Sequence, residues 1–231
     1  MSFRIAVLIS GEGSNLQALI DGLGDAPVEI VGVGSSRADS RGLERAEAAG
    51  LETAVFSLAD EPDRDKRDRA LADWLEQRDV ELVVLAGFME LLTAGFIRRF
   101  AGRIVNIHPA LLPSFTGLDT HRRALEAGAR IHGCSVHFVT AQVDNGPIIA
   151  QAAVPVLSND SEQTLAARVL KAEHQLYPLA LRLVAEGRAR MQGGRTVFDL
   201  AGASERVNSA LVAPDLRPLA ENLEDLARFT P

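Results

Sequence analysis

FRIAVLISGEGSNLQALID, residues 3–21, joins an apolar run, a glycine-containing turn and a segment of helical period in direct succession. The spacing predicts a strand over 3–10 and a helix from about Asn15 to Asp21. Between them, GEGSN (11–15) can turn tightly and expose backbone N–H groups at the positive end of the helix, as phosphate-binding turns do. The string lacks the third glycine of a dinucleotide fingerprint and the Lys-Ser/Thr pair of a P-loop, so a plain tight turn is an equal interpretation.

The same alternation of short apolar runs and helical segments continues along the chain and indicates the fold class. Further strands are predicted at 28–35, 53–58, 81–87 and 103–107, and helices near 40–49, 63–78 and 93–100. This order predicts an α/β fold in three layers, with a mostly parallel sheet and helices on both faces. In such Rossmann-like folds the ligand crevice lies at the C-terminal ends of the strands.

The pattern changes after the last of these strands. The segment HPALLPSFTGLDTH (108–121) contains two prolines and a glycine and is predicted to be a long loop, a kind of segment that is usually functional. A short helix near 121–128 follows it. Two strands at 135–140 and 147–156, joined around the turn DNG, then predict an antiparallel hairpin at one edge of the sheet.

The C-terminal part is predicted to be one long helix followed by an extension. Asp160 is predicted to cap a helix that runs to about Gly187, with Gln163 completing a capping box. Beyond it, only a weak helical pattern near 216–228 is visible. We therefore divide the chain into a domain over 1–190 and an extension over 191–231 of unknown role.

The overall composition is that of a water-soluble globular protein. The 231 residues are 47% apolar and 24% charged, which suits one well-packed domain. No run approaches the roughly 18 apolar residues that span a bilayer, and the N-terminus lacks the parts of a signal peptide. We therefore expect a cytoplasmic protein with no membrane contact.

Charge and cysteine content exclude two further classes of partner. A net charge of −7 argues against general binding to nucleic acid, since it removes the long-range attraction to phosphate backbones. The single cysteine, Cys134, has no Cys or His neighbours at zinc-ligand spacing, so no metal is expected.

Polar residues near the predicted loop are the first candidates for chemistry. Asn106 and His108 are two positions apart, so on an extended strand both side chains point to the same face and could contact one substrate atom. A structural role for the pair is the alternative, but its position at a strand end beside a long loop favours a functional site. Asp144 either hydrogen-bonds its own turn or orients the ring of His108.

The remaining histidines of this region are interpreted as structural. His137 is expected to be packed in the sheet. His121 and His132 are interpreted as loop or surface residues.

Six strings then occur in one order along the chain. They are LISGEGSNLQALI (8–20), VVLAGFM (83–89), NIHPALLP (106–113), GCSVHFVT (133–140), DNGPII (144–149) and RVLKAEHQLYP (168–178). Together, over roughly residues 3–190, they resemble the phosphoribosylglycinamide formyltransferases, a folate-dependent family of purine synthesis. The resemblance implies transfer of a formyl group from 10-formyltetrahydrofolate to the amine of glycinamide ribonucleotide, without a metal.

The resemblance also implies catalytic roles for three residues. Asn106 and His108 would donate hydrogen bonds to the oxygen of the attacked formyl group, where negative charge grows. Asp144 would keep His108 able to supply a proton near neutrality. A water could relay protons from the attacking amine to the departing folate nitrogen.

Substrate-binding residues follow from the same resemblance. Gly13, Ser14 and Asn15 would hold the ribotide phosphate. Glu173 would accept hydrogen bonds from the ribose hydroxyls, although on its own it reads as a solvated charge on a helix. The implied folate site consists of Arg64, Met89, Glu90, Leu91, Leu92, Asn106, Val139, Thr140 and Val143.

Two positions depart from the family pattern. Glu90 stands where the family often has a basic residue, and it would repel the glutamate tail of the folate if it faced that end. Arg64 is then the candidate for the tail carboxylate, with a solvated charged helix as the equal alternative. Leu170 stands where some relatives carry a lysine, which puts phosphate contact from this helix in doubt.

Other functions remain open at this level. Formyl transfer to initiator tRNA would need an additional basic domain, and formylfolate hydrolysis an additional N-terminal regulatory domain. A nucleotide-binding module without catalysis would use GEGSN alone. The sequence is compatible with a monomer or a homodimer.

Overall fold

The computed structural model describes residues 2–24 and 26–199. The strands within these residues are β1 (Phe3–Ile9), β2 (Val28–Ser35), β3 (Thr53–Val55), β4 (Leu82–Leu85), β5 (Ile104–His108), β6 (Ile131–Phe138), β7 (Ile148–Pro155), β8 (Ala189–Gln192) and β9 (Arg195–Phe198). The helices are α1 (Ser14–Gly22), α2 (Arg41–Ala48), α3 (Arg64–Glu76), α4 (Ala94–Arg99), α5 (Thr120–Glu126) and α6 (Glu162–Ala185).

Seven strands form one sheet in the order β3-β2-β1-β4-β5-β6-β7. Strands β1 to β5 pair in parallel, whereas β6 pairs antiparallel with both β5 and β7. The predicted α/β fold with an antiparallel hairpin at one edge is therefore confirmed. Because the chain runs outward from β1 to β3 and then returns to form β4 on the other side of β1, the loops after β1 and β4 diverge and leave a crevice between them.

The two faces of the sheet have separate cores because side chains alternate along each strand. In β1, Ile5, Val7 and Ile9 join one apolar cluster, and Ala6 and Leu8 join the other. Helices α1, α2 and α6 contribute to the first cluster, and α3 and α4 contribute to the second. This arrangement gives the predicted three layers.

The start of α6 differs by one residue from the prediction. Ser161 is the N-cap: its hydroxyl accepts the N–H of Thr164 at 3.2 Å, and Thr164 Oγ1 accepts the N–H of Ser161 at 2.9 Å. Asp160 instead accepts the N–H of Leu157 and pairs with Arg168 at 2.6 Å. The predicted cap at Asp160 with Gln163 is wrong. Both Asp160 and Ser161 are residue types that cap helices, but Asp160 is engaged in the ion pair with Arg168 and Ser161 is left as the cap.

A two-stranded antiparallel sheet that was not predicted from the sequence follows α6. Strands β8 and β9 pair around Gly193 and Gly194, which both have positive φ. Ala189 and Met191 pack against the first apolar cluster, so the hairpin is fastened to the core. The predicted domain boundary at 190 falls within β8, and the helix predicted near 216–228 lies outside the described residues.

Candidate active site

The C-terminal end of β5 carries the two polar residues that the sequence marks as candidates. The antiparallel register places Asn106 opposite His137 and His108 opposite Ser135. Asn106 Nδ2 lies 3.3 Å from His137 Nε2. His108 is 5% exposed, so its ring is withdrawn from bulk water.

Asp144 reaches this strand end from the turn between β6 and β7. Its Oδ2 lies 3.5 Å from His108 Nδ1, and its Oδ1 lies 3.8 Å from His137 Nε2. Oδ2 also accepts the backbone N–H of Gly117 at 2.8 Å. The side chain therefore contacts the histidines and the loop, and the structure brings Asn106, His108 and Asp144 together.

His137 completes this cluster. It is packed in the sheet as expected, but its contact with Asn106 was not predicted. The ring is 2% exposed, and Nδ1 lies 3.0 Å from the carbonyl oxygen of Phe138, to which it donates. Burial lowers the pKa of His137, so the ring is neutral near pH 7 and its Nε2 is free to accept the Asn106 N–H. The signal that reveals it is the strand register, because His137 is the residue directly opposite Asn106.

The long loop after β5 closes over His108. His108 Nε2 donates to the carbonyl oxygen of Phe115 at 2.9 Å. At the base of the loop, Ser135 Oγ donates to the carbonyl of Ala110 at 2.7 Å and accepts the N–H of Leu112 at 3.0 Å. The loop is thus fastened to β6 at its base and to Asp144 near its tip.

The interpretation of His132 as a loop or surface residue is wrong. Strand β6 begins at Ile131, four residues before the predicted start, and the loop covers it, leaving His132 1% exposed. Its ring lies edge-on to His121 and Phe115, with centroids 5.3 Å and 5.8 Å away. Burial lowers the pKa of His132 to about 4 and also lowers that of His121.

The turn after β1 has the properties expected of an anion site. Gly13 is the N-cap of α1 with φ of 69°, and no side chain caps this helix, so the N–H groups of its first turn remain available to a ligand. Asn15 Nδ2 donates to Glu173 Oε2 at 2.7 Å, which links the turn to α6. An open cavity of about 520 Å³ adjoins Ser14 and is lined by α1 together with Arg45 of α2 and His174 of α6.

Glu173 is buried, so it is not a solvated charge on the helix surface. It is 6% exposed, and burial raises its pKa, while the hydrogen bond from Asn15 acts in the opposite direction. A carboxylate held in this way can accept hydrogen bonds from hydroxyl groups of a ligand.

Most of the residues implied in folate binding lie after β4 and around the β6–β7 turn, while Asn106 is on β5 and Arg64 on α3. Met89, Leu91 and Val143 are 73%, 58% and 56% exposed, which is high for apolar side chains. Leu92 and Val139 are half-buried and pack against the second apolar cluster, the one that contains Ala6 and Leu8. Exposed apolar residues next to a crevice mark a binding surface.

The other implied folate residues are polar. Thr140 is half-buried, and its hydroxyl donates to the carbonyl of Gln142 at 3.3 Å. Glu90 is half-buried. Arg64 is the exposed first residue of α3.

Two structural findings bear on metals and membranes. Within residues 2–24 and 26–199, no group of three or more His, Cys, Asp or Glu residues is arranged to hold a metal ion. None of the helices in the same ranges is both long enough and apolar enough to cross a membrane.

Comparison with known proteins gives consistent similarities. Residues 3–181 match the family model described as formyl transferase. The phosphoribosylglycinamide formyltransferase of Escherichia coli (strain K12) is 48% identical over 198 residues, covering 85% of this chain and 93% of that protein. The crystal structure of glycinamide ribonucleotide transformylase 1 from Symbiobacterium toebii is 50% identical, with a TM-score of 0.82 over 85% of this chain and 94% of that one.

A hydrolase is also similar in fold. The formyltetrahydrofolate deformylase from Pseudomonas syringae pv. tomato is 25% identical, with a TM-score of 0.80. The similarity covers 86% of this chain but 66% of the deformylase chain.

Proposed function

The chain belongs to the formyl transferase family, and from this premise we propose that it transfers the formyl group of 10-formyltetrahydrofolate to the amine of glycinamide ribonucleotide in purine synthesis. The observation that carries the proposal is the cluster in which Asn106 and the buried His108 of β5 meet Asp144 from a separate turn. The names of the relatives support the same reaction.

The first step is attack of the amine nitrogen on the formyl carbon. A new C–N bond forms, and the carbonyl electron pair moves onto oxygen, which becomes negatively charged. One N–H of Asn106 is engaged by His137, so the second N–H is free to donate to this oxygen. His108 Nε2 is the other donor once it exchanges the Phe115 carbonyl for the substrate oxygen. Each donor of this kind contributes about a hundredfold to a thousandfold in turnover.

The second step breaks the bond between the formyl carbon and the folate nitrogen. The electron pair on the oxyanion re-forms the carbonyl double bond. The electron pair of the broken bond goes to the folate nitrogen, which takes up a proton, while the attacking amine loses one. Asp144, 3.5 Å from His108 Nδ1, stabilises the protonated ring of His108, and a water relays the proton between the two nitrogens. No covalent enzyme intermediate is needed.

The substrates occupy two sides of this cluster in the proposal. The ribotide phosphate binds the free N–H groups at Gly13, Ser14 and Asn15, and the ribose hydroxyls donate to Glu173. The folate ring lies against a wall formed by Met89, Leu91, Leu92, Val139, Thr140 and Val143. Arg64 is the candidate for the glutamate tail, which Glu90 would repel. We place the reaction in the cytoplasm, in a domain over 1–190 that acts as a monomer or a homodimer.

The test of the proposal is direct. Pure protein is mixed with glycinamide ribonucleotide and 10-formyltetrahydrofolate, and the formylated ribotide is detected by mass spectrometry. Omitting the amine distinguishes transfer from hydrolysis, because formate release at an equal rate would identify a deformylase. In the Asp144→Asn protein we expect lower turnover and a changed pH profile, and an unchanged profile would refute the pairing with His108.

A further inference from the structure

Two charged residues of α3 are buried outside the catalytic cluster. Arg67 is 1% exposed and Asp68 is 2% exposed, and Arg67 Nε lies 2.7 Å from Asp68 Oδ1. Replacing a buried ion pair by apolar side chains of similar volume is often neutral or stabilising, because burying both charges is costly. Among the described residues, Arg67 Nη1 is also buried with no hydrogen-bond partner, and the close Nε–Oδ1 contact of the pair lacks hydrogen-bond geometry. Stability alone therefore does not explain the pair.

The outward contacts of the pair converge on one short segment, residues 88–93, which we call the β4–α4 segment. Asp68 Oδ2 accepts the backbone N–H of Thr93 at 2.6 Å. Arg67 Nη2 donates to the carbonyl oxygen of Leu91 at 3.4 Å, and its guanidinium lies 5.9 Å from the centroid of the Phe88 ring. The pair thus contacts the beginning, the middle and the end of the segment.

The β4–α4 segment has little main-chain support of its own. In the described part of the chain, no backbone–backbone hydrogen bond involves residues 88–92. The other main-chain bond here also goes to a side chain, since the N–H of Met89 donates to Ser10 Oγ at 2.8 Å. The main-chain path of the segment is therefore set by three side chains, and two of them are Arg67 and Asp68.

We propose that Arg67 and Asp68 are positioning residues for folate binding. By holding the Leu91 carbonyl and the Thr93 N–H, they fix the path of the β4–α4 segment and present Met89, Leu91 and Leu92 to the folate ring. The inference rests on the proposed function, which puts these apolar residues in the folate site. The pair makes no hydrogen bond to the cluster around Asn106 or to the turn at Gly13, so its effect is confined to the folate.

The test is the double variant Arg67→Met and Asp68→Asn. Methionine keeps most of the volume without the charge, and the asparagine oxygen still accepts the Thr93 N–H, so no lone charge is left buried. We expect KM for 10-formyltetrahydrofolate to rise at least about tenfold, as loss of a hydrogen bond from a charged donor would cause. KM for the ribotide and kcat should stay unchanged. Arg67→Lys should recover part of the folate affinity.

Arg69→Met is the matched control, since it removes the same charge from an exposed position of the same helix. It should leave both KM values at the parent level. A lower melting temperature of the double variant without a rise in folate KM would mean a purely structural role and would overturn the proposal. Equal rises in both KM values, or a fall in kcat alone, would also overturn it.

The inference can also be tested if the double variant does not fold or if the parent protein does not transfer the formyl group. If the double variant does not fold, Arg67→Lys is judged by the same split between the two KM values. If the parent protein forms no formylated ribotide, the proposed function fails. Calorimetric titration with 10-formyltetrahydrofolate then decides the inference separately: parent binding that the double variant loses supports it, and equal or absent binding in both overturns it.

Discussion

The hydrogen bond between Asn106 and His137 makes a specific prediction for the variant His137→Leu. Leucine fills similar space but removes the Nε2 acceptor that holds the Asn106 amide at 3.3 Å. A neutral hydrogen bond of this kind contributes about 1 kcal/mol, which corresponds to roughly a five- to tenfold change. Without it the amide can rotate and present its oxygen to the developing oxyanion. We therefore expect kcat to fall about tenfold, with both KM values unchanged.

The assay is steady-state formyl transfer by the parent, His137→Leu, Asn106→Ala and the double variant. Because His137 acts through Asn106, the double variant should be no slower than Asn106→Ala alone. His137→Gln, which retains an acceptor oxygen, should recover part of the lost turnover. Since the ring is neutral in the folded protein, its loss should lower the pH–kcat curve without moving its acid limb.

Additive losses in the double variant would refute this reasoning. They would mean that His137 contributes independently of Asn106, for example by contacting substrate. A shifted acid limb in His137→Leu would refute it as well, because it would show that His137 titrates in the working range.

Two further predictions concern pH and the ribotide site. The pKa of His132 is lowered by burial to about 4, whereas an unfolded histidine titrates near ~6.5, so the unfolded chain binds the proton first as the pH falls. As the pH falls from ~6.5 to 4, His132 should therefore lower the free energy of unfolding by up to about 3 kcal/mol. Urea titrations at several pH values should show that this free energy depends less on pH in His132→Gln than in the parent. An equal pH dependence in the two proteins would contradict the prediction. In Gly13→Ala the new Cβ would lie 2.5 Å from the Cα of Gly42 at a φ of 69°, so the turn must shift and we expect KM for the ribotide to rise about tenfold or more. KM for the folate should not change. Gly24→Ala, which has nothing within 4 Å of its new Cβ and lies outside the turn, is the control that should behave as the parent.

The parallel half of the fold is readable from the sequence because each strand is a compact apolar run followed by a helical period. The cap of α6 is predicted one residue early, because the sequence does not show that Asp160 forms an ion pair with Arg168. The β8–β9 hairpin has a local signal, the Gly193–Gly194 pair between two runs with strand residues. Its packing against the core through Ala189 is a tertiary contact that no local pattern indicates.

The residues of the candidate site likewise divide into those with a local sequence signal and those set by tertiary contacts. Asn106 and His108 can be predicted from two-residue spacing at a strand end, whereas His137 requires the register between β5 and β6. Arg67 lies in DRDKRDRA, which reads as a solvated helix, yet it is four residues before Leu71 and therefore continues the buried stripe of α3. Burial of a charge at such a position depends on what covers the helix, here the β4–α4 segment.

The antiparallel joining of β6 to β5 also determines when, during synthesis, the site can exist. A ribosome adds residues at about 5–20 per second, and the N-terminal part of a domain emerges first. A nascent chain that has exposed β1 to β5 carries Asn106 and His108 but has neither the partner strand nor the turn that supplies Asp144. Glu173 on α6, the proposed ribose-binding carboxylate, emerges later still. Translation that stops before β6 therefore releases a chain without His137, Asp144 and Glu173, and translation that stops between β7 and α6 releases one that still lacks Glu173. On the proposed function, neither fragment can enclose a ribotide.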